Sequence, residues 1–165
     1  MKRFFAIALL LLLGMGLFCG CQNNSRRMEK NGLTMELPEY FADKSSESYA
    51  ADYDFLYTYG GTGFLGIREK RLDFPAGYEN MDLEAYGKFV IYGNQLSCTL
   101  TQKDGFYTFT YEKDAPEGAL TYIAIVLEDK DAFWTVQAYC LSSFFAENQD
   151  FLWKTLTSVK MQETH

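Results

Sequence analysis

The segment Ala119-LTYIAIVLEDKDAFWTVQAYC-Leu141 decides the fold. Ala119 to Leu127 has the composition of a strand, Glu128-Asp129-Lys130-Asp131 that of a charged turn, and Ala132 to Leu141 that of a second strand. Strands joined by so short a connection pair antiparallel. On the C-terminal side, Asn148 to Thr157 reads as a helix, with Leu152 and Leu156 four apart and Trp153 beside them. Ser158 to Met161 adds a short last strand. On the N-terminal side, Gln95 to Gln102 and Phe106 to Glu112 are strands split by a turn at Lys103-Asp104-Gly105. Asn80 to Tyr92 reads as a helix capped by Asn80, with Asp82 and Glu84 in its first turns and Leu83, Tyr86, Phe89 and Val90 along one stripe. Gly93-Asn94 stops it.

Further upstream, Leu33, Met35 and Leu37 alternate with polar residues up to Pro38. Ser48 to Tyr59 alternates as well, placing Tyr49, Ala51, Tyr53, Phe55, Tyr57 and Tyr59 on one face. Gly60 to Gly63 is a turn, and Phe64 to Leu72 is the strand that completes a hairpin. An amphipathic helix must bury its stripe against a sheet. The predicted class is therefore α+β, a mainly antiparallel sheet with two principal helices packed on it.

The chain resembles the PsbP-like fold, shared by photosystem extrinsic proteins and Mog-type nuclear import factors. More closely it resembles small secreted bacterial lipoproteins that carry such a domain. The resemblance rests on Gly32 to Pro38 with Phe41, on Gly66-Ile67-Arg68-Glu69, on Asp131 to Gln137, and on the closing helix with Phe151, Trp153 and Ser158-Val159. It implies an α/β/α sandwich and an accessory or interaction role. It brings no catalytic residue with it.

The first residues predict export. Met1-Lys2-Arg3 is basic, Phe4 to Leu13 is apolar, and small residues lead to Gly20-Cys21, after which the chain turns polar at Gln22. Phe18-Cys19-Gly20-Cys21 resembles the lipobox of bacterial lipoproteins, with Phe18 where that family usually has Leu. The resemblance implies cleavage before Cys21 and a diacylglyceryl group on its sulfur. The expected organisation is a signal peptide over 1–20, a flexible tether over 21–31, one domain over 32–161 and a tail over 162–165. A retained transmembrane anchor is the competing reading of the apolar run.

Cleavage removes Lys2 and Arg3, leaving 13 basic against 22 acidic side chains, a balance of −9. Such a chain lacks the basic stripe that a nucleic-acid binder needs. Anionic head groups would be repelled as well, so attachment is expected through the acylated Cys21 and not through a charged surface.

Chemistry-bearing motifs are sparse. Gly61-Thr62-Gly63-Phe64-Leu65-Gly66 matches G-x-G-x-x-G as a string, but a strand pattern follows it where a nucleotide site needs a helix. A hairpin turn accounts for those glycines better. His165 is the single histidine and the last residue, so no histidine-based triad or metal centre is expected on an ordered element. Arg68-Glu69-Lys70-Arg71 reads as a salted strand edge or as a contact for an anionic partner. Cys98 and Cys140 suit either a disulfide outside the cytoplasm or two buried free thiols. No metal or cofactor is expected.

Twelve tyrosines exceed what one small core requires. Tyr53, Tyr57 and Tyr59, with Arg68, are the candidate binding surface, and Tyr107, Tyr111, Tyr122 and Tyr139 extend the excess. The expected role is a membrane-anchored binding or accessory module in the bacterial envelope, with an envelope protein or a small ligand as partner. Two alternatives stand beside it. One is an Asp/Glu-dependent hydrolase of envelope polysaccharide, which needs two carboxylates facing across a cleft. The other is a structural lipoprotein with no specific ligand.

Overall fold

The computed structural model describes residues 24–78 and 80–162. Two sheets and two helices form three layers. The larger sheet contains β3 (Ala42–Asp43), β4 (Phe55–Tyr59), β5 (Thr62–Lys70), β6 (Thr101–Lys103), β7 (Phe106–Lys113), β8 (Leu120–Glu128) and β9 (Ala132–Leu141). Its order is β3-β4-β5-β9-β8-β7-β6, with every pairing antiparallel. The smaller sheet has the order β1-β2-β10, from Ser25–Lys30, Leu33–Pro38 and Lys160–Met161. The helices are α1 (Leu83–Gly93) and α2 (Phe145–Leu156).

Alternation along β9 explains the layers. Trp134, Val136, Ala138 and Cys140 enter one core together with Leu33, Met35 and Leu37 of β2 and Leu152 and Leu156 of α2. Phe133, pointing the other way, joins a second core with Tyr86 and Val90 of α1 and with Phe109, Ala124 and Val126. The larger sheet is thus covered on one face by α2 and the small sheet, and on the other by α1. The expected mainly antiparallel architecture with two packed helices is the one observed.

The N-terminal boundary differs from expectation. Ser25–Lys30, assigned to a flexible tether, is β1, and it pairs with β2 along its whole length. Asn31 (φ 47°) and Gly32 (φ 80°) form the two-residue turn between them, the left-handed pair that an antiparallel hairpin favours. Met28 is buried, and the Arg26 guanidinium donates to the Phe41 carbonyl.

Other boundaries shift for local reasons. Ser48–Ala50 is a 3-10 turn, so the strand begins only at Phe55. Gly60 and Gly61 alone make the next hairpin turn, at φ 55° and 80°. Asp82, not Asn80, caps α1 by accepting the Ala85 N–H. Phe89 is half-buried, packing on Phe74 and Tyr78 and not on the sheet. Of the strand expected over Gln95 to Gln102, only its last two residues are extended into β6. Arg68–Lys70 belongs to β5 and pairs with Ala132–Trp134 of β9 on one side, while the pairing with β4 stops at Gly66, so its other side is the local strand edge that was expected.

Candidate functional site

The face of the large sheet under α1 carries the candidate site. Register places Tyr111 of β7 opposite Tyr122 of β8, Tyr122 opposite Tyr139 of β9, and Tyr139 opposite Gly63 of β5. The Tyr111 and Tyr122 rings stack at 4.8 Å between centroids, and Tyr122 and Tyr139 follow at 5.2 Å. The row ends over Gly63, where a Cβ would lie 2.4 Å from the Tyr139 ring. Gly66 plays the same part on the opposite face, where Phe55 covers it. The glycine string over 61–66 is therefore one turn residue and two seats for aromatic rings in a strand, and no helix follows it.

Beside this row, between the end of α1 and the sheet, lies a groove of about 400 Å3. Its walls and floor include Glu69, Val90, Asn94, Tyr111, Glu112 and Gln137. The floor is pinned by two hydroxyls. Tyr111 Oη donates to Gln137 Oε1 at 2.6 Å. Tyr86, fully buried and stacked on Phe133 at 4.4 Å, donates to Glu69 Oε2 at 2.6 Å and lies 2.8 Å from Thr135 Oγ1. Burial pushes the Tyr86 hydroxyl far above the usual tyrosine range, and the Glu69 carboxylate adds to this. Burial likewise raises Tyr111 and takes Tyr139 up to about 12, so the whole row is neutral at ordinary pH.

The arrangement suits recognition. Amide and hydroxyl groups from Asn94, Thr135 and Gln137 share the groove with the edge of an aromatic row, a mixture typical of small binding sites. The carboxylates that line it already accept hydrogen bonds, Glu69 from Tyr86 and Glu112 from Thr121 at 3.2 Å. Among the described residues, no group of three or more His, Cys, Asp or Glu is placed to hold a metal ion.

The surface expected at Tyr53, Tyr57, Tyr59 and Arg68 is dispersed. Tyr53 packs with Leu56 and Leu65 on the α1 face. Tyr57 lies on the opposite face, under the Arg26 guanidinium at 5.1 Å, and Tyr59 packs at a tilt against Tyr40, with 4.6 Å between ring centroids. Alternation was right for Tyr57 and Tyr59, but Tyr53 precedes the strand and escapes its period. Arg68 bonds Asp129 at 3.2 Å and Asp131 at 2.6 Å, while its N–H donates to Asp54 Oδ2 at 2.7 Å. It ties the β8–β9 turn down. Cys98 and Cys140 are free, because they sit in the cores on opposite faces of the sheet. Cys21 and His165 lie outside the described residues. Glu69, Asn94 and Gln137 were not anticipated, since only strand register and the end of α1 bring them together.

No protein-family model matches the chain, and no curated protein matches it in sequence. Its likeness is to solved structures. The solution structure of cyanobacterial PsbP from Synechocystis aligns with a TM-score of 0.54 and 12% identity, over 90% of this chain and 99% of that one. The fold is PsbP-like. The Ran-binding protein Mog1p of Saccharomyces cerevisiae aligns with the PsbP-like domain at a TM-score of 0.50 and 10% identity, over 85% of this chain and 96% of its own. A protein from Bacteroides thetaiotaomicron aligns at 0.53 and 10% identity, over 86% of this chain and 49% of its own. At these identities the likeness is one of fold.

Proposed function

We propose that this chain is a bacterial lipoprotein held outside the cytoplasm through Cys21, and that its PsbP-like domain is a binding or accessory module acting through the groove between α1 and the large sheet. One observation carries the reading: a preformed groove whose polar groups are pinned by Tyr86 and Tyr111 and which is flanked by a row of neutral tyrosines. Pinned groups lose little freedom when a partner binds. Mog1p, by its description a Ran-binding protein, gives a protein binder on the same scaffold, which supports the reading by analogy of fold. The fitting partner is a segment of an envelope protein offering amide or hydroxyl groups and a flat apolar side.

A photo-crosslinking residue in place of exposed Asn94, expressed in the native envelope, tests this by mass spectrometry. One reproducible partner is expected, lost when Gln137→Ala and Tyr111→Ala are introduced. No specific product, together with glycan cleavage by the purified domain that Glu69→Gln abolishes, would replace binding by hydrolysis.

A further inference from the structure

We infer that the exposed aromatic cluster Tyr40–Tyr59–Phe144 is a membrane-contact surface, which seats the domain on the bilayer end-on instead of leaving it loose on a tether. The inference rests on the proposed lipidation of Cys21. Tyr40, Tyr59 and Phe144 are each at least half exposed, at 51%, 58% and 52%. Together with Phe41, Leu141 and Phe151 they line one open depression of about 370 Å3. Single exposed apolar residues need no explanation, but a contiguous group does.

The chain outside the described residues says what covers it. The Asn24 carbonyl accepts the Glu39 N–H at 3.0 Å, so residue 24 is fixed beside Tyr40. Three residue steps separate Asn24 from Cys21, a reach of at most about 11 Å. Gln22, Asn23, Asn24 and Ser25 put no charge between the sulfur and the cluster. Acyl chains entering the bilayer from Cys21 therefore bring this end of the domain to the head groups. Tyrosine favours that boundary, with its ring in the apolar side and its hydroxyl in water. The acidic chain points to zwitterionic lipid and not to an anionic surface.

The fold also supplies a far end. Thr62, the first residue of β5, borders the cluster, and Leu72, in the 3-10 turn Arg71–Asp73 beyond the strand's last residue Lys70, is 92% exposed. The eight steps of β5 from Thr62 to Lys70 alone span about 26 Å at the rise of an extended strand. Trp153 lies toward the opposite end of α2 from Phe144, bonded to Asp104 of the β6–β7 turn, and Trp134 is fully buried.

The test uses the full lipidated chain in phosphatidylcholine vesicles whose acyl chains carry bromine, a short-range quencher of indole. Tyr59→Trp and Leu72→Trp are compared, and flotation with the vesicles is measured first. Tyr59→Trp is expected to float and to lose most of its added emission, while the emission added by Leu72→Trp and that of Trp134 and Trp153 persist. A chain that does not float overturns the anchor, and the docking with it. A chain that floats with equal or no quenching at both sites leaves the anchor standing and overturns the docking. Protection of Tyr59→Trp that depends on protein concentration and not on bromine assigns the cluster to a second copy, and overturns it too.

Discussion

Tyr139 and Gly63 are opposite each other in neighbouring strands, and the tyrosine ring occupies the space where a side chain at 63 would be. A glycine in a strand interior is a cost unless something close requires it. Here the requirement is the last ring of the Tyr111–Tyr122–Tyr139 row. Gly63→Ala is expected to destabilise the domain by about 1–3 kcal/mol by forcing Tyr139 off its seat. In the Tyr139→Ala background the same change should cost clearly less, because the two residues share one contact. Urea unfolding of the four proteins measures the coupling, and additive effects would disprove it.

Gly66 and Phe55 repeat the relationship on the other face. They are also directly paired, and a Cβ at 66 would lie 2.1 Å from the Phe55 ring. Phe55 is fully enclosed and the ring has nowhere to swing. Gly66→Ala is expected to cost about 3 kcal/mol or more, exceeding Gly63→Ala. A smaller effect than at 63, by urea unfolding, would show that this core yields.

The central hairpin was legible because β8 and β9 carry long apolar runs around a charged turn, and α2 because Leu152 and Leu156 share a face. β1 was not. Its sequence Ser25-Arg-Arg-Met-Glu-Lys30 holds one apolar residue, and its pairing is decided by Asn31-Gly32, a turn signal present in the sequence but outweighed by polar composition. The site was half legible. The excess of tyrosines was visible, whereas the line from Tyr111 through Tyr122 to Tyr139 depends on register across three strands, which no local pattern encodes.

Alkaline pH should expose the tyrosines. Tyr86, Tyr111 and Tyr139 are raised chiefly by burial. In the unfolded chain they ionise near the ordinary value of about 10. Above that pH the unfolded state gives up protons that the folded state retains, so stability falls as pH rises toward the raised values. The stabilising contribution is whole below about pH 10. Tyr86→Phe is expected to flatten this alkaline arm and to cost about 1–2 kcal/mol near neutrality, through the lost bonds to Glu69 and Thr135. Unfolding free energies between pH 8 and 11.5 check both, and an unchanged slope would count against the buried hydroxyl.

The two cysteines of the folded domain should behave as separate thiols. Cys140 is buried and Cys98 is half-buried, and burial raises both thiols above the ordinary cysteine range. In unreduced native protein Cys98 is expected to react slowly with an aromatic disulfide reagent and Cys140 hardly at all. Both should react at once in denaturant. Two unreactive cysteines in denatured, unreduced protein would mean that they are bonded.

The N-terminal strand gives the last prediction, because two accounts of residues 24–31 part there. A flexible tether contributes nothing to folding, and its removal leaves stability unchanged. As β1 it buries Met28, completes six pairings with β2 and sends Arg26 to the Phe41 carbonyl and over the Tyr57 ring. Enclosing the Met28 side chain alone is worth roughly 1.5–3 kcal/mol. Its loss would also leave the β2 backbone as an open edge beside the Leu33, Met35 and Leu37 core. A chain beginning at Asn24 is therefore expected to match the mature chain in urea, while one beginning at Leu33 loses about 3 kcal/mol or more and tends to aggregate. Equal midpoints for the two truncations would return residues 24–31 to a tether, and would also remove the fixed Asn24 on which the seating of the domain at the membrane depends.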